Sequence, residues 1–265
     1  MRHVFVNADD FGLHDDINRA ISEGVKKGRI HGVSVSANGT AVDWPLLREM
    51  KSSGAKIGAH LTWADETWLT GQGSISRAAI IKKLALHSSG FVNQLRDEAR
   101  AQIDLLLKNG IHPDHVDSHQ HIHVLPNLWP ITLELAREYS IPRIRIPMAS
   151  SFAGIRKTPG GMLLHSLSRF RSREIPTAWP CAGIARSGHN TEAHVQRELS
   201  DSRDQVVELI VHPGFATSSL TERYRHWNYD WETERSLIMD DDFPRMLKVS
   251  GCELMPSSVI VLNQI

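Results

Sequence analysis

The stretch Val4-Phe5-Val6-Asn7-Ala8-Asp9-Asp10-Phe11-Gly12 passes from a short apolar run through an acidic pair to a glycine, and a helical pattern follows at once. Val4 to Val6 read as a buried strand. Ile17, Ala20, Ile21, Gly24 and Val25 recur at the spacing of one face of an amphipathic helix, with Asp15 and Asp16 at its start and Gly28 as its stop. The same strand-then-helix alternation continues outward. Val33-Ser34-Val35 reads as a strand, about Trp44 to Ser53 as a helix ended by Gly54, and Lys56-Ile57-Gly58-Ala59 as a strand running into His60. Helical patterns cover about Ser76 to His87 and Phe91 to Asn109, then a strand near Val116, a helix from about Asn127 to Tyr139, and a strand Arg143 to Ile146. Val206 to Val211 is the clearest buried strand; helices near Asp230 to Met239 and Phe243 to Val249 precede a last apolar run, Val259 to Leu262. The stretch from Ser150 to Gly188 is the least readable, with one helix around Met162 to Arg171.

Strands alternating with helices over this length suit either a (β/α) barrel or an open doubly wound sheet. No G-x-G-x-x-G follows the first strand and no G-x-x-x-x-G-K-[ST] occurs, so the usual reason for an open nucleotide-binding sheet is missing. The expectation is an α/β chain folded as a single-domain barrel over residues 1–265. With 30 Lys and Arg against 30 Asp and Glu, the chain has no global field to hold a polyanion. That argues against nucleic acid or an anionic membrane surface as the principal partner, although a local basic patch such as Arg169, Arg171 and Arg173 stays open. No stretch approaches the ~18 apolar residues of a membrane span. Two cysteines, Cys181 and Cys252, without C-x-x-C spacing indicate neither a disulfide framework nor a cysteine zinc site, and fit a reducing cytoplasm.

Fifteen histidines are many, and they gather with aspartate where predicted strands end. Asp9-Asp10 ends the first strand, His60 the third, Asp117-Ser118-His119-Gln120-His121-Ile122-His123 follows the fourth, and His212-Pro213-Gly214 follows Val206 to Val211. In a parallel β/α fold every strand opens onto one face at its carboxyl end, so these groups converge. Adjacent carboxylates in an extended segment point to opposite sides, which lets one bind a metal while the other takes a proton; an Asx turn or helix cap is the structural alternative. His119, His121 and His123 alternate, so an extended chain would project them to one face, and imidazole is a common zinc ligand. Trp63 and Trp68 follow His60, while Trp227 and Trp231 follow His212. Aromatic faces there suit stacking on a sugar ring, or simply anchor loops.

On the segments Asn7 to Gly12, Gly58-Ala59-His60-Leu61, His115 to His123 and His212-Pro213-Gly214, the chain resembles the YdjC-type carbohydrate deacetylases, the family of chitooligosaccharide deacetylase and the hopanoid-associated deacetylases. The resemblance spans nearly the whole chain; Ala59 departs from it, standing where Leu or Met is common. It implies a distorted β/α barrel and one divalent metal ion held by Asp10, His60 and His119, with His121 and His123 outside the ligand set. By similarity to the related polysaccharide deacetylases, Asp9 would be the general base and His212 the general acid. Asp117 would orient a histidine from behind, and Arg145 would steady Asp9 or the substrate. Zinc is the first choice for the ion and magnesium the alternative. The implied reaction removes an N-acetyl group from an amino sugar, free or within a glycan or glycoconjugate, releasing acetate. Two other readings stand beside it: a metal-dependent hydrolase of another bond such as a phosphoester, and a non-catalytic glycan- or metal-binding protein. The sequence sets neither the particular amino sugar nor an oligomeric state.

Overall fold

The computed structural model describes residues 1–71, 73–86, 89–155, 157–175 and 177–256; the apolar run Val259 to Leu262 lies outside them. Strands and helices alternate as β1 (Arg2–Phe11), α1 (Asp15–Lys26), β2 (Gly32–Val35), α2 (Trp44–Ser52), β3 (Lys56–Leu61), α3 (Arg77–Ala85), α4 (Ser89–Lys108) and β4 (His115–Ser118). Then follow α5 (Trp129–Glu138), α6 (Pro159–Arg171), β5 (Cys181–Ala182), α7 (Glu192–Asp201), β6 (Val206–Val211), α8 (Ser218–Arg223), α9 (Trp231–Met239), α10 (Phe243–Val249) and β7 (Cys252–Leu254). Side-chain caps explain several starts. Asp43 accepts from the Leu46 N–H, Ser76 from Ala79, Thr158 from Gly161 and Asp230 from Thr233, each satisfying a donor that the helix itself leaves over.

The strands are parallel and ordered β4-β3-β2-β1-β6-β5, with β7 beside the first residues of β1. The two edges meet through residues 143–149, where Ile144 bridges Val116 and Ala149 bridges Cys181. The result is a distorted barrel. The predicted strand Arg143 to Ile146 is therefore corrected to an irregular seam with isolated bridges, because Pro142 and Pro147 bracket it and remove ladder donors. The inner and outer faces of β1 and β6 are both buried, as the apolar runs Val4 to Val6 and Val206 to Val211 require of strands sandwiched between side chains inside the ring and helices outside it. Both cysteines are buried and unpaired. Among the described residues, no helix is long and apolar enough to cross a membrane.

Two glycines permit close passage. Gly12 sits at φ +98°, and a Cβ there would lie 2.9 Å from the Ser36 carbonyl oxygen. Gly58 has no left-handed backbone to excuse it, but a Cβ would collide with the His115 ring at 2.1 Å. The absence of that side chain lets an imidazole on β4 pack across β3.

His31, at the base of β2, accepts the Val6 N–H on Nδ1 at 3.0 Å and is buried. Burial holds it at about 4, below its ordinary value of 6.5. A histidine with a lowered folded pKa stabilises above pH 6.5 and loses that contribution as pH falls toward 4, because the unfolded chain takes the proton first. His31→Phe should be less stable than the parent at pH 7.5. In denaturant unfolding the gap should shrink by about 3 kcal/mol on descending to pH 4. A gap independent of pH would show that His31 titrates alike in both states.

Candidate active site

All the strand ends that carry clustered polar residues open onto one pocket of about 380 Å³, lined by Asp9, His60, His119, His121 and His212 among others. Its floor is built on Arg145, which is fully buried. The guanidinium donates in a fork to Asp9, Nη1 to Oδ2 and Nη2 to Oδ1, both at 2.8 Å. Its Nη1 also lies 2.5 Å from Asp117 Oδ2, and Nε donates to Glu208 Oε1 at 2.8 Å. Glu208 pairs with Arg143 as well. Three carboxylates from β1, β4 and β6 thus share one buried cation supplied by the seam. Smaller groups complete the net: Asn7 Nδ2 donates to Asp9 Oδ1 at 2.9 Å, and Ser34 Oγ donates to Asp117 Oδ2 at 2.8 Å. Burial opposes ionisation of Asp9 and Asp117, but Arg145, followed by His60, outweighs it and lowers both, Asp117 well below the carboxylate range.

Asp10 stands apart from that net. β1 bulges between Ala8 and Phe11, and Asp10 takes φ +72° there. This kink turns its carboxylate away from that of Asp9, toward His60 and His119. Asp10 Oδ1 lies 3.3 Å from His60 Nε2 and 3.0 Å from His119 Nδ1. Against burial, His119 and His60 hold the Asp10 carboxyl well below its usual range. The other nitrogen of His60, Nδ1, meets Asp117 Oδ1 at 2.7 Å, so Asp117 fixes the ring from behind. Burial would depress His60, but Asp117 and Asp9 together raise it to about 10.

Donor atoms, one each from Asp10, His60 and His119, lie within 4.8 Å of one another, and all three residues are buried. Asp10 Oδ2 has no hydrogen-bond partner there. A carboxylate and two imidazoles with an unspent buried oxygen have the donor chemistry of a divalent-ion site. Asp9, His60 and Asp117 form a second such grouping, but the Arg145 guanidinium already sits on both of its carboxylates and would repel a cation.

The histidine run is not extended. Gln120 and His121 are left-handed, at φ 55° and 56°, within the 3₁₀ turn His119–Val124, which overturns the expectation that three alternating imidazoles share a face. His121 lines the pocket with Nδ1 unbonded, and burial, helped by Arg145, takes it down to about 3. His123 instead turns inward, where Nε2 donates to the Arg145 carbonyl at 2.8 Å and Nδ1 meets Ser118 Oγ at 2.8 Å.

On the opposite wall His212 follows β6. Its backbone N–H donates to Glu234 Oε2 at 2.6 Å and its ring Nδ1 lies 3.4 Å from the same oxygen, while the Tyr229 ring stands edge-on at 5.1 Å. Burial lowers the imidazole, but Glu234, together with Asp10 and Asp9, more than offsets it and the net direction is upward.

The tryptophans need correcting. Trp63, Trp68 and Trp231 are buried in the core, and none lines the pocket. Trp63 Nε1 donates to the Leu95 carbonyl and Trp68 Nε1 to the Trp63 carbonyl, so they anchor the loop after β3 instead of offering a face to a sugar. Trp227 is half-buried, packs on His119 at 4.6 Å between centroids and donates to Asp65 Oδ2 at 3.1 Å. Of the two roles expected of Arg145, steadying Asp9 is the one the structure shows; the substrate contact is corrected, because Arg145 is enclosed by carboxylates at 0% exposure and does not line the pocket. Glu208, Glu234, Asp65 and Ser34 escaped the sequence reading. Only Glu208 left a signal, as a charge inside the apolar run Val206 to Val211.

A parallel β/α barrel with buried carboxylates and imidazoles at its strand ends defines an α/β protein with a candidate metal centre. The YdjC-like protein family model matches residues 3–249, and the chain belongs to that family. A carbohydrate deacetylase from Vibrio parahaemolyticus serotype O3:K6 is 34% identical over 222 residues, 82% of this chain and 80% of that protein. A carbohydrate deacetylase from Clostridium beijerinckii is 28% identical over 147 residues, 52% of this chain and 58% of that one. An Enterococcus faecalis V583 crystal structure, named for cellobiose-phosphate cleavage, shares the fold at a TM-score of 0.70 with 18% identity, covering 98% of this chain and 99% of its own.

Proposed function

We propose that this chain is a divalent-metal-dependent N-deacetylase acting on an N-acetylated amino sugar, free or within a glycoconjugate. The observation that carries the reading is the arrangement around one pocket: an Asp10, His60 and His119 donor set, flanked by Asp9 held on Arg145 and by His212 backed by Glu234. The names of the two deacetylase relatives support the substrate class.

Asp10, His60 and His119 would hold the ion, zinc by preference because two of three donors are imidazoles. When bound, it supplies Lewis acidity toward an amide carbonyl and a water. The chain's own residues do the rest. Asp9, kept ionised and oriented by the Arg145 fork, accepts the proton of the attacking water. A C–O bond forms as the amide C–N bond breaks, and His212, stabilised as imidazolium by Glu234, protonates the departing amine. Acetate and a free amino sugar result. Asp117 keeps the His60 ring in register, and Asp65, which accepts from Gln120 at 2.8 Å and from Trp227, braces the turn that carries His119.

A phosphoester substrate fits less well, since Arg77 is the one Lys or Arg among the described residues lining the pocket. A binding protein without turnover would have no use for both the Asp9 and the His212 arrangements.

The test pairs metal analysis of protein purified without added metal with acetate release from N-acetylated sugars. Chelation should abolish release and added zinc should restore it. His119→Ala should lower metal affinity on the order of 10²-fold or more and lose activity in parallel. An ion retained by that variant, or found on His121 and His123, would overturn the ligand assignment.

A further inference from the structure

The chain balances 30 basic against 30 acidic residues, yet the two stretches at the pocket mouth carry one sign only. Residues 67–96 contain Arg77, Lys82, Lys83 and Arg96 and no Asp or Glu; residues 139–173 contain seven Lys or Arg and again no acid, with Arg143 and Arg145 spent on buried carboxylates and Arg171 paired with Glu174. These stretches hold α3 and α6. Arg77 and Ile81 on α3 line the same pocket as Leu163 and Leu164 on α6, so both helices stand at one mouth.

Apolar side chains are exposed among these cations. Phe152 is 76% exposed, Met162 60% and Phe170 55%, with Ile81 and Leu163 also open to solvent. The Lys157 ammonium lies 5.4 Å from the Phe152 ring and the Arg171 guanidinium 5.3 Å from the Phe170 ring. On α6, Leu164 and Leu167 pack against the core, whereas Met162, Leu163, Arg169 and Phe170 are exposed and available to something outside the chain.

We propose that this rim is a docking surface for an anionic lipid bilayer, which seats the pocket mouth at the membrane surface. Exposed aromatics and aliphatics interleaved with Lys and Arg match the two layers a bilayer offers, acyl chains below and anionic headgroups above. A second copy of this chain matches poorly, because face-to-face packing would set one predominantly basic rim against another. The association is peripheral, since no described helix is long and apolar enough to cross the membrane. The lack of a global charge imbalance is no obstacle, because a headgroup layer senses charge within about a Debye length of the contact. The pocket wall continues the apolar rim inward through Leu163, Leu164 and Leu167 to the polar floor, so a membrane-borne substrate could pass from one to the other without crossing bulk water.

The docking surface does not depend on the proposed reaction, and the experiment keeps the two apart. Purified protein is sedimented with vesicles of phosphatidylcholine alone and of phosphatidylcholine with added phosphatidylglycerol. The parent should partition at least about tenfold more strongly onto the anionic vesicles, and added salt should weaken it. Arg169→Glu with Arg173→Glu should remove the anionic preference. Met162→Ser with Phe170→Ser should lower binding at low salt by about tenfold or more. None of these four residues lines the pocket, so acetate release from a water-soluble N-acetylated sugar should stay at the parent rate in both variants. Equal partition onto both vesicle types, variants that bind like the parent, or a dimer in light scattering that the same substitutions dissolve would each overturn the proposal.

Discussion

Asp9→Asn should keep its metal and lose turnover by about 10²- to 10⁴-fold, the range that a positioned general base contributes. The amide preserves the volume of the side chain but has no useful affinity for a water proton. It also presents an NH₂ toward Arg145, where the carboxylate now receives two N–H donors. Some stability should go as well, so kcat is compared after thermal unfolding has shown the variant folded at the assay temperature. His212→Ala should retain metal and lose about 10²-fold or more. The pH profile gives a further check. Asp9 is held below the ordinary carboxylate value, so the acid limb should fall at low pH. His212 is raised above 6.5, so the basic limb should lie above that value and should vanish in His212→Ala. Parental rates in both variants would refute the mechanism even with metal in the site.

Arg145→Met should produce the largest loss of stability. Methionine fits the volume of the arginine stem, but it leaves Asp9 and Asp117 without their guanidinium and Glu208 with Arg143 alone. Removing one partner from a buried ion cluster costs about 3–5 kcal/mol, because the remaining charges keep their desolvation penalty and lose its compensation. The sign with pH is distinctive. In the parent, Asp117 has a depressed pKa, so its contribution is present above the unfolded value and is lost as pH falls. Without Arg145, burial dominates and the same carboxyls favour their protons, so the variant gains relative to the parent on acidification. Denaturant midpoints measured from pH 8 down to pH 5 should therefore converge. Equal midpoints at pH 8 would mean that the cluster contributes nothing net to folding.

Much of the architecture was legible because it rests on apolar runs long enough to show a period. β6 was read to the residue, and α1, α2, α9 and α10 to within two residues, since caps and glycines mark their ends. The two-residue β5 and three-residue β7 were missed; neither is long enough to carry an alternation. The convergence of Asp9, Asp10, His60, Asp117, His119 and His212 was legible for a topological reason, as parallel strands deliver their carboxyl ends to one place. The geometry within the site was not. Nothing in a row of alternating histidines announces two left-handed residues, and nothing in Trp63 or Trp68 announces a core anchor. Glu234 lies within an ordinary helical pattern, and only the return of α9 beneath His212 gives it a task.

The bridge between Ala149 and Cys181 has a consequence for how this scaffold could diversify. It pinches together the ends of an excursion, residues 150–180, that leaves the ring and returns to it at adjacent points. The 3₁₀ turn Phe152–Gly154 and α6, which supply much of the pocket wall, both belong to that excursion. The candidate ligands and the base and acid hang elsewhere, on β1, β3, the turn after β4 and the end of β6. Under the proposed reaction, recognition and chemistry would be carried by separable modules. A graft or shuffle of the pinched segment between related barrels could exchange what is bound without disturbing how the bond is cut.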